Sequence, residues 1–473
     1  MIDTAKPYAQ SVDDFSQDNP RVSASSAQSV FYHIYSLIDE DTNPQISQIP
    51  KHWQAMPNRA LFAEVKDRNH PDEPLLSVTI GKGIIRQSDL LANSSKKNSS
   101  NEDKAKYKLV QPRDIAYNKM RAWQGAVGVS NYRGIVSPAY IVVRPRGEQN
   151  SEYFHNLLRT PAFAKEAERW SYGITSDQWS LRAEDFKRIY CSLPSKEEQD
   201  DIVKFIDHVD NHINHLIRTK RRLIELLNEQ KQVTIHKAVT RGIEPNVRLK
   251  PSGIDWLSDI PEHWEIVALR RFWEVADCKH LTVPFVEDGV PLASVVEVQS
   301  FDLDLTHCNK TTKEWAEHLI SGGRKPKYGD LIYCRNVSVG ACAYVNTNIN
   351  FSMGQDVCLI RSDTHNQRYL NYLLHSWFMS EQLARLLVGS TFKRINISDI
   401  RSLIVLVPSK QEQDAICREL DEVVMKFASL IKRAESEIYL LREYRTRLIS
   451  DVVTGKLDVH GVELPAMDEA ESM

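Results

Sequence analysis

LPSKEEQDDIVKFIDHVDNHINHLIRTKRRLIELLNEQKQ, from Leu193 to Gln232, and VPSKQEQDAICRELDEVVMKFASLIKRAESEIYLLREYRT, from Val407 to Thr446, are two copies of one pattern. Pro194, Ser195, Lys196, Glu198, Gln199, Asp200 and Ile202 recur in register as Pro408, Ser409, Lys410, Glu412, Gln413, Asp414 and Ile416. In the second copy apolar residues fall at Ile416, Leu420, Val423, Phe427, Leu430, Ala434, Ile438, Leu441, Leu448 and Val452. The first copy keeps the same frame with Ile202, Ile206, Val209, Ile213, Leu216, Ile224 and Leu227. Steps of three and four put one apolar stripe on a long helix whose other faces are charged. Each run predicts a helix of about 40 residues, or roughly 60 Å.

So narrow a seam calls for a helical partner, and the other copy, packed antiparallel as a coiled coil, is the expected one. Ser195 and Ser409 are placed to cap the first free N–H groups. Glu198 and Glu412, three residues on, are placed to return the bond. Taken alone, such a helix also suits simple oligomerisation; its recurrence at the end of two similar halves argues for more.

Working outward, IPKHW (Ile49 to Trp53) returns as IPEHW (Ile260 to Trp264). The second copy has the fuller lead-in, KPSGIDWLSDIPEHW, of which YSLIDEDTNPQISQIPKHW is a degraded version. A repeat at roughly 200 residues means duplicated domains, not a solenoid. Between each IP-x-HW and its helix lie about 140 residues, one domain's worth. Short apolar runs divided by Gly, Asn, Asp and Pro predict a mainly β core there. DIAYNKM (Asp114 to Met120), GAVGVS (Gly125 to Ser130) and SPAYIVVRP (Ser137 to Pro145) read as successive strands. DLIYCRN (Asp330 to Asn336), GACAYVN (Gly340 to Asn346) and FSMGQDVCLIR (Phe351 to Arg361) hold the same order. Helices are expected over Tyr153–Trp170 and Gln367–Val388. Each domain then closes with a turn (YGITSDQWSLRAEDF or VGSTFKRINISDI) and a last strand running into Pro-Ser. A short helix is expected over Ser29–Asp39, a solvated loop over Asn93–Lys106, and a patternless acidic tail from Val459.

The 473 residues carry ordinary hydrophobic content and a formal net charge of −3. That charge argues against gripping nucleic acid by bulk attraction alone, so any such contact is local or shared with basic partners. No apolar run is long enough to span a bilayer and the N-terminus shows no signal core, which makes the cytoplasm the expected location. Seven cysteines without a CxxC pair read as reduced core residues, not as a metal or disulfide frame. The sequence contains no GxxxxGK[ST] loop, dinucleotide-type glycine turn, HEXXH or GxSxG, so no catalytic residue, metal ligand or cofactor site is assigned. His52 and His263 read as packing beside Trp53 and Trp264.

Binding remains. Asn118, Lys119, Arg121, Trp123 and Gln124 gather at one strand end, and Arg335, Asn336 and Ser338 at its counterpart. The closing turn adds Ser390, Thr391, Lys393 and Arg394. Arg and Lys suit guanine, Asn and Gln suit adenine, and Ser and Thr hold phosphates. Singly these are ordinary loop residues; clusters at matching positions in both halves point to DNA. Arg218, Lys220, Arg221 and Arg222 are either a solvated face or a contact for phosphate or a partner.

Two variable domains, each opened by IP-x-HW and closed by (L/V)PSKxEQD and a long helix, resemble the specificity subunit of type I restriction–modification enzymes. NKMRAWQGAVGVS followed by GIVSPAY is similar to a target-recognition core of that family. The resemblance covers about residues 49 to 459; the polar N-terminal extension departs from it. It implies an α+β fold: two mainly β target-recognition domains related by pseudo-two-fold symmetry and joined by two long antiparallel coiled-coil helices. The implied divisions are a polar extension (1–48), a first recognition domain (49–192), a first spacer helix (193–243), a second recognition domain (244–406), a second spacer helix (407–459) and an acidic tail (460–473). It further implies a non-catalytic chain that reads one half of a split double-stranded DNA target with each domain. Two modification subunits would dock on the helices and bring S-adenosylmethionine to methylate adenine. Restriction subunits would bring ATP, magnesium and cleavage. The reading from another class is a coiled-coil scaffold bearing two protein-binding β-rich modules; an autonomous methyltransferase or nuclease lacks its cofactor loop or acidic metal cluster.

Overall fold

The computed structural model describes residues 32–33, 49–91, 104–173, 179–387 and 394–464. Contacts divide the chain into two units, Met1–Ile217 with Tyr439–Met473, and Arg218–Ile438. The two long helices run Lys196–Arg241 and Lys410–Val453, so each unit holds the start of one and the end of the other.

The first unit is built on a four-stranded antiparallel sheet of β1 (Phe62–Val65), β2 (Ile115–Asn118), β3 (Val127–Val129) and β4 (Tyr140–Pro145), in the order β1-β4-β2-β3. Alternation along the strands divides the core between two faces. Ile115, Tyr117, Ile141 and Val143 join the cluster of Phe154 and Phe163 from the helices, while Ala116 and Val142 join Val78, Ile84, Val110 and Val136. The expected helix over Tyr153–Trp170 is two, α1 (Ser151–Leu157) and α2 (Pro161–Arg169). Thr160 Oγ1 caps the second by accepting the Phe163 N–H at 3.1 Å, and Pro161 fits a helix start because its missing N–H had no partner to find.

The second unit repeats this plan with β5 (Glu274–Asp277), β6 (Leu331–Cys334), β7 (Cys342–Tyr344) and β8 (Val357–Arg361), in the order β5-β8-β6-β7. Leu331, Tyr333, Cys358 and Ile360 face one cluster, and Ile332, Cys334, Val357 and Leu359 the other. Here too the single expected helix is two, α3 (Gln367–Leu374) and α4 (Trp377–Leu386); Val388 lies outside the described residues. In each unit the last strand pairs with the first after IP-x-HW: Tyr190–Leu193 with Gln54–Pro57, and Ile404–Val407 with Glu265–Ala268. Seven free cysteines are present, all buried except the half-buried Cys308.

The two repeated motifs meet at one junction in each unit. Ser195 and Ser409 cap as expected, accepting the Glu198 and Glu412 N–H groups at 3.2 and 3.3 Å. The two carboxylates, however, turn to the other motif instead of returning the bond. Glu198 accepts Trp53 Nε1 at 2.8 Å and lies 3.1 Å from His52 Nε2; Glu412 accepts Trp264 Nε1 at 3.0 Å and lies 2.8 Å from His263 Nε2. Gln199 and Asp200 hold the cap of α1, receiving the Asn150 N–H at 2.9 Å and its side-chain amide at 2.6 Å. Gln413 and Asp414 do the same for Asn366 at 2.8 and 2.6 Å.

The ends of the long helices reach the same junctions. Gly455 has φ 74° and would place a Cβ 2.3 Å from Pro50 and 3.2 Å from Trp53. Gly242, at φ 76°, would place one 3.2 Å from Glu412 and 3.5 Å from Trp264. Only glycine terminates a helix this way so close to an indole. Tyr153 Oη donates to Ser192 O and Val453 O at 3.0 and 3.1 Å, and Tyr369 Oη to Leu406 O at 3.0 Å and Val239 O at 3.5 Å. Each tyrosine thus ties a closing strand to an arriving helix.

Within each unit the helix segments are antiparallel. In the first, Arg445 Nε bonds Asp210 at 2.6 Å, and Ile202 and Ile206 share a cluster with Val452 and Val453. In the second, Lys220 pairs with Glu437 at 2.6 Å, while Ile235 and Val239 share a cluster with Ile416 and Leu420. The stripe read from the sequence is largely covered, but Leu430 is half exposed. Two expectations at the ends are corrected. Tyr32–His33, within the expected helix Ser29–Asp39, are a strand paired with Ile49–Pro50; the rest of that segment lies outside the described residues, as does most of Asn93–Lys106. Val459, counted with the tail, is buried in the cluster of Val452 and Val453.

Replacing Glu412 with Ala leaves the buried Trp264 N–H without its acceptor and is expected to cost about 2 kcal/mol in urea denaturation. The exposed Glu419→Ala on the same helix is expected to stay within about 0.5 kcal/mol. Equal losses from the two would disprove the role given to the junction.

Candidate nucleic-acid interface

In the first unit the chain leaves the sheet at Asn118 and turns through Lys119–Ala126 before entering β3. Asn118 Oδ1 accepts the Met120 N–H at 3.0 Å, and a short 3-10 turn, Ala122–Gln124, ends on Gly125. Ala122 is buried and pins the loop. Arg121 is exposed, with Nη1 donating to Gln124 Oε1 at 3.1 Å. Trp123 donates Nε1 to Met120 O at 3.1 Å and meets the Trp179 ring edge-on at 5.5 Å. Asn118, Lys119, Trp123 and Gln124 are half-buried, so the structure brings the five predicted residues onto one loop.

His155 on α1 and Arg159 just after it brace the strand that follows this loop. Arg159 Nη1 donates to Val127 O at 2.7 Å, and Nη2 to Ile80 O and Gly81 O at 2.7 and 3.1 Å. The guanidinium therefore fastens the Ile80–Gly83 turn, with exposed Lys82, to the chain entering β3. His155 Nδ1 accepts the Val129 N–H at 3.1 Å. Burial, aided by Arg159, lowers the His155 pKa to about 4, so the ring stays neutral and able to accept.

In the second unit the corresponding loop runs from Arg335 to Ala341. Arg335 is buried, and its Nη1 lies 2.9 and 2.8 Å from the two oxygens of Asp277. It is committed inside the domain, unlike Arg121. Asn336 forms a bridge with Arg394, which is exposed, and Ser338 is half-buried beside them. Ser390, Thr391 and Lys393 lie outside the described residues. The closing segments return to the same place in both units: Leu181 N–H donates to Lys119 O at 2.7 Å, and Ile395 N–H to Arg335 O at 3.0 Å.

Two features were missed in the sequence. Asp277 secures Arg335 from 58 positions away, and Val337 stands 70% exposed at the loop tip. Neither carries a local signal. Among the described residues Asp277, Cys278 and His280 are the one group whose potential ligand atoms lie within 4.8 Å of one another. Both oxygens of Asp277 are bonded to Arg335, so the group serves to hold an arginine. A cavity of about 520 Å³ in the first unit is lined by Arg113, Asp114, Arg144, Gln149 and Lys196, among others. Arg144 is tied to Asp114 at 2.6 Å, as Arg361 is to Asp330 at 2.9 Å in the second unit. That recurrence marks the pair as part of the scaffold. Lys220 on the first long helix is paired with Glu437 and Arg222 with Glu225, which makes them helix-face contacts. Among the described residues no helix is long and apolar enough to cross a membrane.

Comparison with known proteins agrees with this arrangement. A family model described as the type I restriction modification DNA specificity domain matches residues 58–226 and 264–439. The chain is 24% identical over 285 residues to the type I restriction enzyme MjaVIII specificity subunit of Methanocaldococcus jannaschii, covering 58% of this chain and 63% of that relative. The putative MjaX specificity subunit of the same organism is 22% identical over 445 residues, covering 88% of this chain and 96% of the relative. The EcoBI specificity subunit of Escherichia coli is 21% identical over 320 residues, covering 65% and 66%. In fold, the chain is similar to one from a structure of type I R-M complex assembly and conformational transition (TM-score 0.63, 15% identity, covering 86% of this chain and 99% of that one). It is also similar to the HsdS subunit of Thermoanaerobacter tengcongensis (TM-score 0.50, 16% identity, covering 86% and 98%).

The neutral His155 gives a pH signature. Its folded pKa lies below the ordinary 6.5, so the unfolded chain takes up the proton first as pH falls. Its contribution is complete above about pH 6.5 and is lost towards pH 4, at about 1.4 kcal/mol per pH unit. Relative to His155→Gln, the wild type is expected to lose stability across that window in denaturation series at stepped pH. Parallel curves would show that His155 titrates normally in the folded protein.

Proposed function

Because the chain belongs to the family of type I restriction modification DNA specificity domains, whose task is DNA target recognition, we propose that each unit reads one half of a split double-stranded target. The loops after β2 and β6 are the reading surfaces. The observation that carries this is the recurrence of one construction. In both units a four-stranded sheet of the same order ends in a polar loop, held by a closing segment bonded to its first residue.

In the first unit Lys119 and Arg121 are the base or phosphate contacts, with Asn118, Gln124 and Trp123 shaping the loop. In the second, Asn336, Ser338 and Arg394 make contact; Ser390, Thr391 and Lys393, outside the described residues, keep the contacting role expected from the sequence. Arg335 acts through the loop it anchors. The long helices dock two modification subunits. Support comes from apolar side chains left in water on the helix segments: Tyr439, Leu440 and Tyr444 in the first unit, and Leu223, Leu226 and Met425 in the second. In this reading the chain is the address reader and not a catalyst. S-adenosylmethionine, ATP and magnesium come with the modification and restriction subunits, in the cytoplasm.

Arg121→Ala is expected to weaken binding at one half-site only, by about 1 to 3 kcal/mol if it contacts a base. Mobility shifts with the assembled complex and duplexes varied in one half at a time would measure it; equal loss on every sequence would make Arg121 a phosphate contact. Deleting seven residues from both long helices is expected to change the tolerated gap between half-sites and leave their sequences alone, as read by mapping methylated adenines. Altered half-site sequences would contradict the helices' role as spacers.

A further inference from the structure

The loop after β6 contains a side chain the polar reading leaves unexplained. Val337 is 70% exposed and has a φ of 62°. A β-branched residue clashes with its own backbone in this conformation and persists there only when its surroundings enforce it. They do so here. Arg335 is buried on Asp277, and its N–H donates to Asp356 O at 2.9 Å. Asn336 is bridged to Arg394, and its Oδ1 accepts the Val337 N–H at 3.0 Å. Ser338 N–H returns to Asn336 O at 2.7 Å, and Gly340, at φ 96°, lets the chain pass Leu383. An ion pair, a bridge and a side-chain-to-backbone bond together hold an isopropyl group out into water.

Resting on the DNA-reading role of this loop, we propose that Val337 is a specificity contact whose methyl groups pack on the C5-methyl of a thymine in the major groove. Base edges there are lined with hydrogen-bond donors and acceptors, and the thymine methyl is their one apolar group. The other use of an exposed apolar residue on DNA is as a wedge between base steps, a role of longer or flatter side chains such as Phe, Leu, Ile, Met and Pro. Valine branches at Cβ, so its methyls stay close to the backbone. They reach a groove-facing methyl but not the interior of a stack. Met120, on the first unit's loop, is 39% exposed but outside the left-handed region, so the assignment is confined to the second unit.

The test uses the full chain assembled with its modification subunits. Mapping the adenines that the complex methylates defines both half-sites. Binding is then measured on duplexes in which each thymine of the target is replaced singly by deoxyuridine, which removes only the C5-methyl. The expected result is one position, in one half-site, where the wild type weakens about fourfold. Val337→Ala weakens binding to the unmodified duplex by a similar factor and no longer distinguishes thymine from uracil at that position. Val337→Gly, which relaxes the backbone while removing the same methyls, behaves like the alanine variant if contact rather than strain is the cause. Unchanged response to changes in the other half-site shows that both variants fold. A wild type indifferent to every replacement, or variants that keep the thymine preference, would overturn the assignment. A complex without any sequence-dependent binding would overturn the DNA-reading role itself, and this contact with it.

Discussion

An indole N–H buried against the first turn of a long helix is the contact on which each unit is assembled. Trp53 and Trp264 cannot stay satisfied in the core unless a carboxylate comes to them, and Glu198 and Glu412 supply it. A buried donor without an acceptor costs more than the bond contributes, so this contact fixes where the helix begins relative to the domain. The same tryptophans leave room for the other helix to end only where Gly455 and Gly242 stand. Gln199 and Asp200, with Gln413 and Asp414, then secure the cap of the helix beside the sheet. One small region thus orients the opening motif, two helix ends and the domain between them.

Much of this plan was legible as pattern. Strand alternation, the Pro-Ser helix starts and the apolar stripes follow from periodicity and local chemistry, and three of the four strands of each sheet fall within the runs that were read, β1 and β5 being the ones missed. The partners of the motif residues were not legible. A glutamate three residues after a serine satisfies the capping-box rule, yet its carboxylate was claimed by a tryptophan 145 positions away. Distance along the chain hides such competition. The break between the paired helices of the first unit was visible in Thr160-Pro161, where the apolar pattern outweighed a proper start signal.

The candidate surface shows the same limit more sharply. Lys119 and Arg335 occupy corresponding places and carry the same charge, but one stands half-buried on its loop and the other is buried on Asp277. Charge type alone did not separate a half-buried loop side chain from a buried anchor. The tip at Val337 was invisible because no residue preference announces a valine with positive φ; only the fastening around it explains it. The loops after β2 and β6 diverge while the junction repeats, since the junction residues answer to one another's hydrogen bonds.

Identical fasteners at the two junctions have a genetic consequence. An exchange of coding DNA with breakpoints inside the two repeated motifs would rejoin every donor with its acceptor, because both sites ask for the same residues. Such an exchange would replace a whole sheet and its loops while keeping the hydrogen bonds of the junction. The attachment of the helices is thus compatible with the exchange of one domain for another.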